Sequence, residues 1–504
     1  MKRCAWLLLL LLPALPAASD DKKDDKKKDD KKAKEAQAVV VDPVKDAEAK
    51  IAAGDVDGAI AALDPVAATN GAAALKLGQL RETKGELDLA IDAYKAASAT
   101  LSGAAKGEAL GRMAVAQDAR GMSEAAATAD AAIAADPGGV WPTIAAARRK
   151  VQEGKPDEAI ALAQKAAAAG GGAAATTELA HAQEAKGDIA AAEASYRQAI
   201  AAEPKALAPV IGLATVLRKS GRAAEAEPML AKVIEASPGA VPAYKEMARV
   251  KIAQNRAQDA VADANLAAAM AENDPEAKAL LTEVKAASAL QALGAGQVDL
   301  AVSELTQLRD ANPESAAVRL ALAKAQVARR DVPGAIAELK KATELDPKNA
   351  EAQYQLGNTL LRMKGDPAGS VPPFQQAAAL EPGNAQYAAS LGTALVAAQQ
   401  FGPAIDVLTK LTSQPEYKKP DGFVALGAAY VQAKRYKEAV PVLEKATTLA
   451  PDNADAWASL GWAYFGLKDA AKFKETAGKA RTLGYKEPNL LDYLKKIEGG
   501  MTIK

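Results

Sequence analysis

The sequence predicts an all-α chain built from pairs of short helices stacked into an α-solenoid. Three observations predict it. Phe423, Leu426, Gly427 and Tyr430 fall at i, i+3, i+4 and i+7, which places them on one face of a helix. The same places recur 34 residues later as Trp457, Leu460, Gly461 and Tyr464. Composition agrees: 49% of residues are hydrophobic but only 4% aromatic. Alanine therefore carries much of the apolar share, which suits closely packed helices rather than a sheet.

Within one unit the second helix follows a break at Lys434-Arg435. Ala439, Leu443 and Ala446 repeat the helical spacing there, and Pro451 stops it because proline lacks the N–H a helix interior needs. Such a pair cannot hide its own apolar face and needs neighbours. The run Trp457-Ala-Ser-Leu460-Gly461-Trp-Ala-Tyr464, with the alanine and proline that follow in each unit, resembles the first helix of the tetratricopeptide repeat (TPR). The resemblance implies about thirteen helix–turn–helix repeats wound into a right-handed superhelix, in a family whose members mostly bind other proteins.

In chain order, Lys2 and Arg3 precede Trp6 and the run Leu7 to Leu12, and small residues follow to Ser19. A basic start, a short apolar core and a small-residue exit read as a secretory signal peptide over 1–19, cleaved near Ala18 or Ser19. The apolar run is shorter than the roughly 20 residues a bilayer span takes. Cys4 lies before that run, where a lipid-anchoring cysteine would follow it. Residues 20–38 form a charged linker. Asp20/Asp24, Lys23/Lys27 and Lys28/Lys32 place like charges four apart, which opposes helix, and there is little apolar surface to bury.

The repeat array is expected over 39–484. Its turns carry Gly54, Gly85, Gly121, Gly154, Gly187, Gly221 and Gly296, and its second helices carry Ala59, Ala90, Ala159, Ala192, Ala226, Ala260, Ala301, Ala335, Ala404 and Ala439. Glycine is expected at these turns because the chain leaves the helix through a left-handed conformation. Ala260 and Ala301 stand 41 residues apart rather than 34, so a lengthened helix pair or a dislocation is expected near Asn273-Asp274-Pro275. Residues 485–504 hold a capping helix and tail, with Leu490, Leu491 and Leu494 toward the last repeat.

Chemistry is sparse. Basic and acidic residues balance at 63 each, which favours neither nucleic acid nor an anionic membrane surface. One cysteine and one histidine exclude an internal disulfide and metal sites built on several such ligands. No phosphate-binding glycine loop and no HExxH motif occurs. No cofactor and no enzymatic activity are expected.

The candidate site residues come from the first-helix face that the TPR resemblance turns into a concave groove. Arg148, Arg218, Lys245 and Arg249 would make its middle partly basic. His181, Tyr354, Asn358 and Trp462 occupy matching places elsewhere. In TPR domains that grip a peptide carboxylate, lysines and asparagines hold such places; Asn358 matches, but Tyr354 stands where a lysine would be. The alternatives are a solvated face for these residues and, for Trp462, packing against the C-terminal end. Reversing Lys245 and Arg249 to glutamate is expected to weaken partner capture without loss of helicity.

The resulting expectation is an exported, non-enzymatic scaffold of the bacterial periplasm or outer cell envelope. Its partners would be envelope or secreted proteins, with no nucleic acid and no integral membrane segment after signal cleavage. Long exported proteins resembling this one recur in secretion, pilus and gliding-motility machines. The other reading is an accessory factor that binds glycan or regulates cell-wall or polysaccharide enzymes.

Overall fold

In the computed structural model the described residues are 42–503; the expected leader, the charged linker and the first residues of the array lie outside them. Among the described residues there are 27 α-helices and no strand. Twenty-six of them form thirteen consecutive pairs, from Pro43–Ala52 with Val56–Leu63 to Ala454–Gly466 with Ala470–Thr482. The last helix, Pro488–Glu498, follows alone. The expected α-solenoid of helix–turn–helix repeats is what the chain forms. It divides into two compact units, one up to residue 187 with 202–205 and one holding the rest.

We call the members of each pair the A helix and the B helix. Local chemistry sets their ends. Asn70, Asn349, Asn384 and Asn453 precede A helices, and the side chain of each accepts backbone N–H groups of the first turn. Asp55, Asp331, Asp366 and Asp469 do the same for B helices. Each such cap contributes about 1 kcal/mol relative to alanine.

Every A-to-B turn passes through positive φ, as expected, but glycine holds only eight of the thirteen. Asn255, Arg330, Gln399, Lys434 and Lys468 adopt the same conformation, with φ between 59° and 65°. The backbone path thus belongs to the repeat: Asn255 accepts it readily, and the helices on both sides impose it on Arg330, Gln399, Lys434 and Lys468, which disfavour it.

Glycine inside the A helix has a different cause. A Cβ on Gly427 would collide with Leu443 of its B helix, one on Gly392 with Leu408, and one on Gly78 with Tyr94. At Gly461 the opposing residue is Ala477, and the nearest atoms lie 3.5 Å away. The close approach is therefore obligatory only where the B helix presents a large side chain.

Two departures from the period are absorbed differently. The 41-residue spacing appears as one long A helix, Pro275–Gly294, capped by Asp274. A single extra residue separates Gly357 from Phe374, compared with Gly392 and Leu408. The A helix takes it up as a π-helical stretch, Thr359–Lys364, before Gly365 turns the chain. Such bulges are how a helix accommodates one added residue without losing its contacts on either side.

Within each unit, A helices pack on the B helix that follows them, and several also pack on the next A helix. Gly103–Ala119 meets Val140–Gln152, and Ala385–Ala397 meets Pro420–Gln432. Successive B helices do not pack comparably. A helices therefore share one crowded face, and B helices stand on the other. Pro488–Glu498 packs on the last B helix. It buries Leu490, Leu494 and Ile497, so Ile497 rather than the expected Leu491 completes the stripe.

Candidate partner-binding face

The A-helix face holds the candidate residues, but its charges are not free. Arg148 places Nη2 2.8 Å from Glu178 of the next A helix and also reaches Asp118 of the previous one at 3.5 Å. Glu178 is almost wholly buried and faces the ring of His181, whose Nδ1 lies 3.2 Å away. Burial alone would raise the Glu178 carboxyl; the Arg148 guanidinium and His181 hold it down to about 2 instead.

A second network spans three A helices. Arg218 Nε lies 2.6 Å from Glu246. Arg249 bridges Glu246 at 3.7 Å and Glu276 at 2.6 Å. Lys245, expected as an accessible groove contact, is only 5% exposed. Its ammonium is held by Asp274 at 3.2 Å and by Glu276. Asp274 also caps its own helix, accepting the N–H groups of Glu276 and Ala277. Burial works against the Glu276 carboxylate, yet the two cations hold its carboxyl below the ordinary range.

The basic strip read from the sequence is therefore a set of ion pairs joining consecutive A helices. The expectation that Lys245 can be reversed without structural cost is corrected for a physical reason. Glutamate there would bury a third carboxylate beside Asp274 and Glu276, and removing one partner of a buried pair costs about 3–5 kcal/mol.

A parallel series joins the turns. Lys84, Arg120, Lys186, Arg222 and Arg256 sit at or beside the A-to-B turn, and each reaches an acid in the preceding repeat's B helix: Asp57, Asp88, Asp157, Glu193 and Glu227 respectively. The sequence signal for both series is an acid roughly one repeat from a base. It becomes readable only once the repeats are in register.

The remaining candidates have other surroundings. Tyr354 is buried, stacks on Tyr387 with ring centroids 4.8 Å apart, and accepts from Gln386 at 2.6 Å. Asn358 is half-buried where the π-helical stretch begins. Trp462 meets Phe465 and Tyr493 edge-on at 5.6 and 5.9 Å. Tyr493 belongs to the terminal helix, so the packing alternative describes Trp462. Sequence reasoning missed Arg112, whose guanidinium lies 3.8 Å over the Trp141 ring while pairing with Glu82 and Glu108. Among the described residues no helix is long and apolar enough to cross a membrane.

Family models agree with this architecture. Models of the tetratricopeptide repeat match residues 184–236, 217–284 and 292–356, and, for a second such model, 45–105 and 144–206; a TPR repeat model matches 427–468. A search of curated proteins finds no match. Among solved structures, the APC/C hetero-tetramer Cut9-Hcn1 is 14% identical, covering 92% of this chain and 97% of that one, with a TM-score of 0.42. YrrB, described as a TPR protein with an unusual peptide-binding site, is 24% identical over 38% of this chain and 97% of its own, with a TM-score of 0.33. MamA from Desulfovibrio magneticus RS-1 is 20% identical over 36% of this chain and 96% of its own, with a TM-score of 0.30. With the helix pairs, the left-handed turns and the close A-to-B approaches all in place, the repeat models lead to one conclusion: the chain belongs to the tetratricopeptide repeat proteins.

Proposed function

We propose that this protein is an exported, non-enzymatic scaffold that holds partner proteins along its A-helix face in the bacterial periplasm or cell envelope. The observation that carries the reading is the A face itself. Its side chains are locked by ion pairs between successive helices, so the polar and aromatic groups it presents are positioned before a partner arrives. Preorganisation of that kind lowers the ordering cost of binding. Family membership supports protein binding. The leader pattern of Lys2, Arg3, the Leu7 to Leu12 run and the small residues to Ser19 supports export.

Two experiments test the reading. N-terminal sequencing of the mature protein is expected to start just after Ala18 or Ser19; an intact Met1 on protein retained in the cytosol would overturn export. Photo-crosslinking residues at His181 and Asn358, with Lys232 on a B helix as the control, are expected to trap proteins in cells from the A face. Adducts from the Lys232 control alone would overturn the choice of face. Binding to isolated cell-wall glycan, with no protein adducts, would favour the accessory-factor reading instead.

A further inference from the structure

One surface on the opposite side of the array has the features of a binding site. A cleft of about 280 Å³ opens between the B helix Phe401–Thr412, the A helix Pro420–Gln432 and the B helix Tyr436–Leu449. Its floor is apolar, made by Phe423, Leu426 and Val442, with Tyr430 beside them. Thr409, Pro441 and Lys445 stand exposed at its rim.

The electrostatics of this rim differ from those of the A face. Lys437, Pro441 and Lys445 follow one another at i, i+4 and i+8, which places both lysines on the stripe that carries the proline. Among the described residues neither lysine, nor Lys410 next to Thr409, has a carboxylate within ion-pair reach. The Lys445 ammonium lies 4.4 Å over the Phe423 ring. Arg435, nearby in sequence, is already matched by Glu438. The rim thus offers cationic charge that no neighbouring side chain neutralises, above a pocket with apolar walls.

We propose that this cleft is a second docking site, one that takes a peptide segment carrying a single large apolar side chain flanked by carboxylates. The proposal rests on the scaffold reading and adds a B-helix face to it. The cleft is open to solvent, which suits a side chain presented by a peptide, whereas small-molecule sites bury most of their ligand. An apolar anchor seated in a pocket, ringed by weaker polar contacts, is how a few residues dominate a protein interface. Charge selects an acidic segment: a carboxylate beside the anchor would meet Lys445 at the rim, with Lys437 further along the same helix stripe, where lysines in the anchor's place would be repelled.

The test uses the full chain and a set of labelled peptides, Asp-Glu-X-Glu-Asp-Gly, with X each of the twenty residues, read by fluorescence anisotropy. Phe, Trp or Leu at X is expected to bind at least tenfold more tightly than Gly or Lys. Thr409→Trp, which fills the cleft, and Lys445→Glu, which reverses its rim, should each remove that preference, whereas Lys474→Glu on the last B helix should not. Both rim positions are exposed, and unchanged thermal melts by circular dichroism would show that the variants fold. Equal binding across X by the unaltered chain, or an unchanged preference for Phe, Trp or Leu in the two cleft variants, would overturn the proposal. If the two cleft variants keep the peptide preference while A-face crosslinks persist, the scaffold reading stands and the cleft falls; if the cleft binds and the A face traps nothing, the reverse holds.

Discussion

The repeats up to about residue 350 and the repeats beyond it have one architecture held together by two chemistries. In the first region, consecutive A helices are tied by ion pairs such as Arg148–Glu178, Arg218–Glu246 and Lys245–Asp274. In the second, Tyr354 stacks on Tyr387, and Phe465 contacts both Phe473 and Tyr493. Fifteen of the chain's twenty aromatic residues lie from 350 onward, so a low overall aromatic content conceals a rich local one. The lesson is that a solenoid needs only some interface between neighbours. Where alanine leaves a thin apolar contact, paired charges supply the added specificity; where rings fill the interface, cations are left over for the surface.

The sharpest way to break this contrast is to reverse a cation in each region. Lys245→Glu is expected to cost about 3–5 kcal/mol, because it strands Asp274 and Glu276 beside a like charge. Lys437→Glu, exposed and without a carboxylate partner, should change stability by no more than about 0.5 kcal/mol. Urea unfolding followed by circular dichroism checks both; a similar cost for the two would remove the distinction.

Acid should separate the regions next. The folded Glu178 carboxyl sits at about 2, below its ordinary 4.5. A depressed carboxyl contributes stability that is complete above the unfolded value and is lost as pH falls through the folded one. The window runs from about 4.5 down to about 2. Trp141 reports from the charge-linked region, and Trp457 and Trp462 from the aromatic one. With the other tryptophans replaced by phenylalanine, the Trp141 emission is expected to change at higher pH on acidification. Coincident transitions would mean that the ion pairs do not govern local stability.

The smallest expected effects compare two glycines at the same signature position. Gly427→Ala should cost about 1–3 kcal/mol by overpacking against Leu443. Gly461→Ala meets Ala477 and Thr476 no nearer than 3.5 Å, and should stabilise by about 0.5–1 kcal/mol, since glycine is the poorer residue in a helix interior. Thermal melts of the two variants moving in the same direction would show that the opposing side chain does not set the requirement.

Much of this was readable in advance, for identifiable reasons. The helix pairs were legible at Phe423 to Pro451 because an apolar stripe and a terminating proline act over a turn or two. The lengthened pair after Asn273 was legible as a broken period. Lys245 was misread because its burial depends on Asp274 and Glu276, which the register of the next repeat brings to it. The cleft beneath Lys445 was invisible for a related reason: Phe423 and Leu426 look like ordinary core residues until the helices on either side are placed.

Alone, the linear chain determined the period, the pairing of helices and the family. Those follow from 3.6-residue periodicity, end-capping side chains and residues that break helices, all of which act within one repeat. Tertiary packing decided which charges are consumed and which remain, and which signature glycine is indispensable. Both depend on side chains from elements one repeat or one helix away, and on how closely the backbones approach.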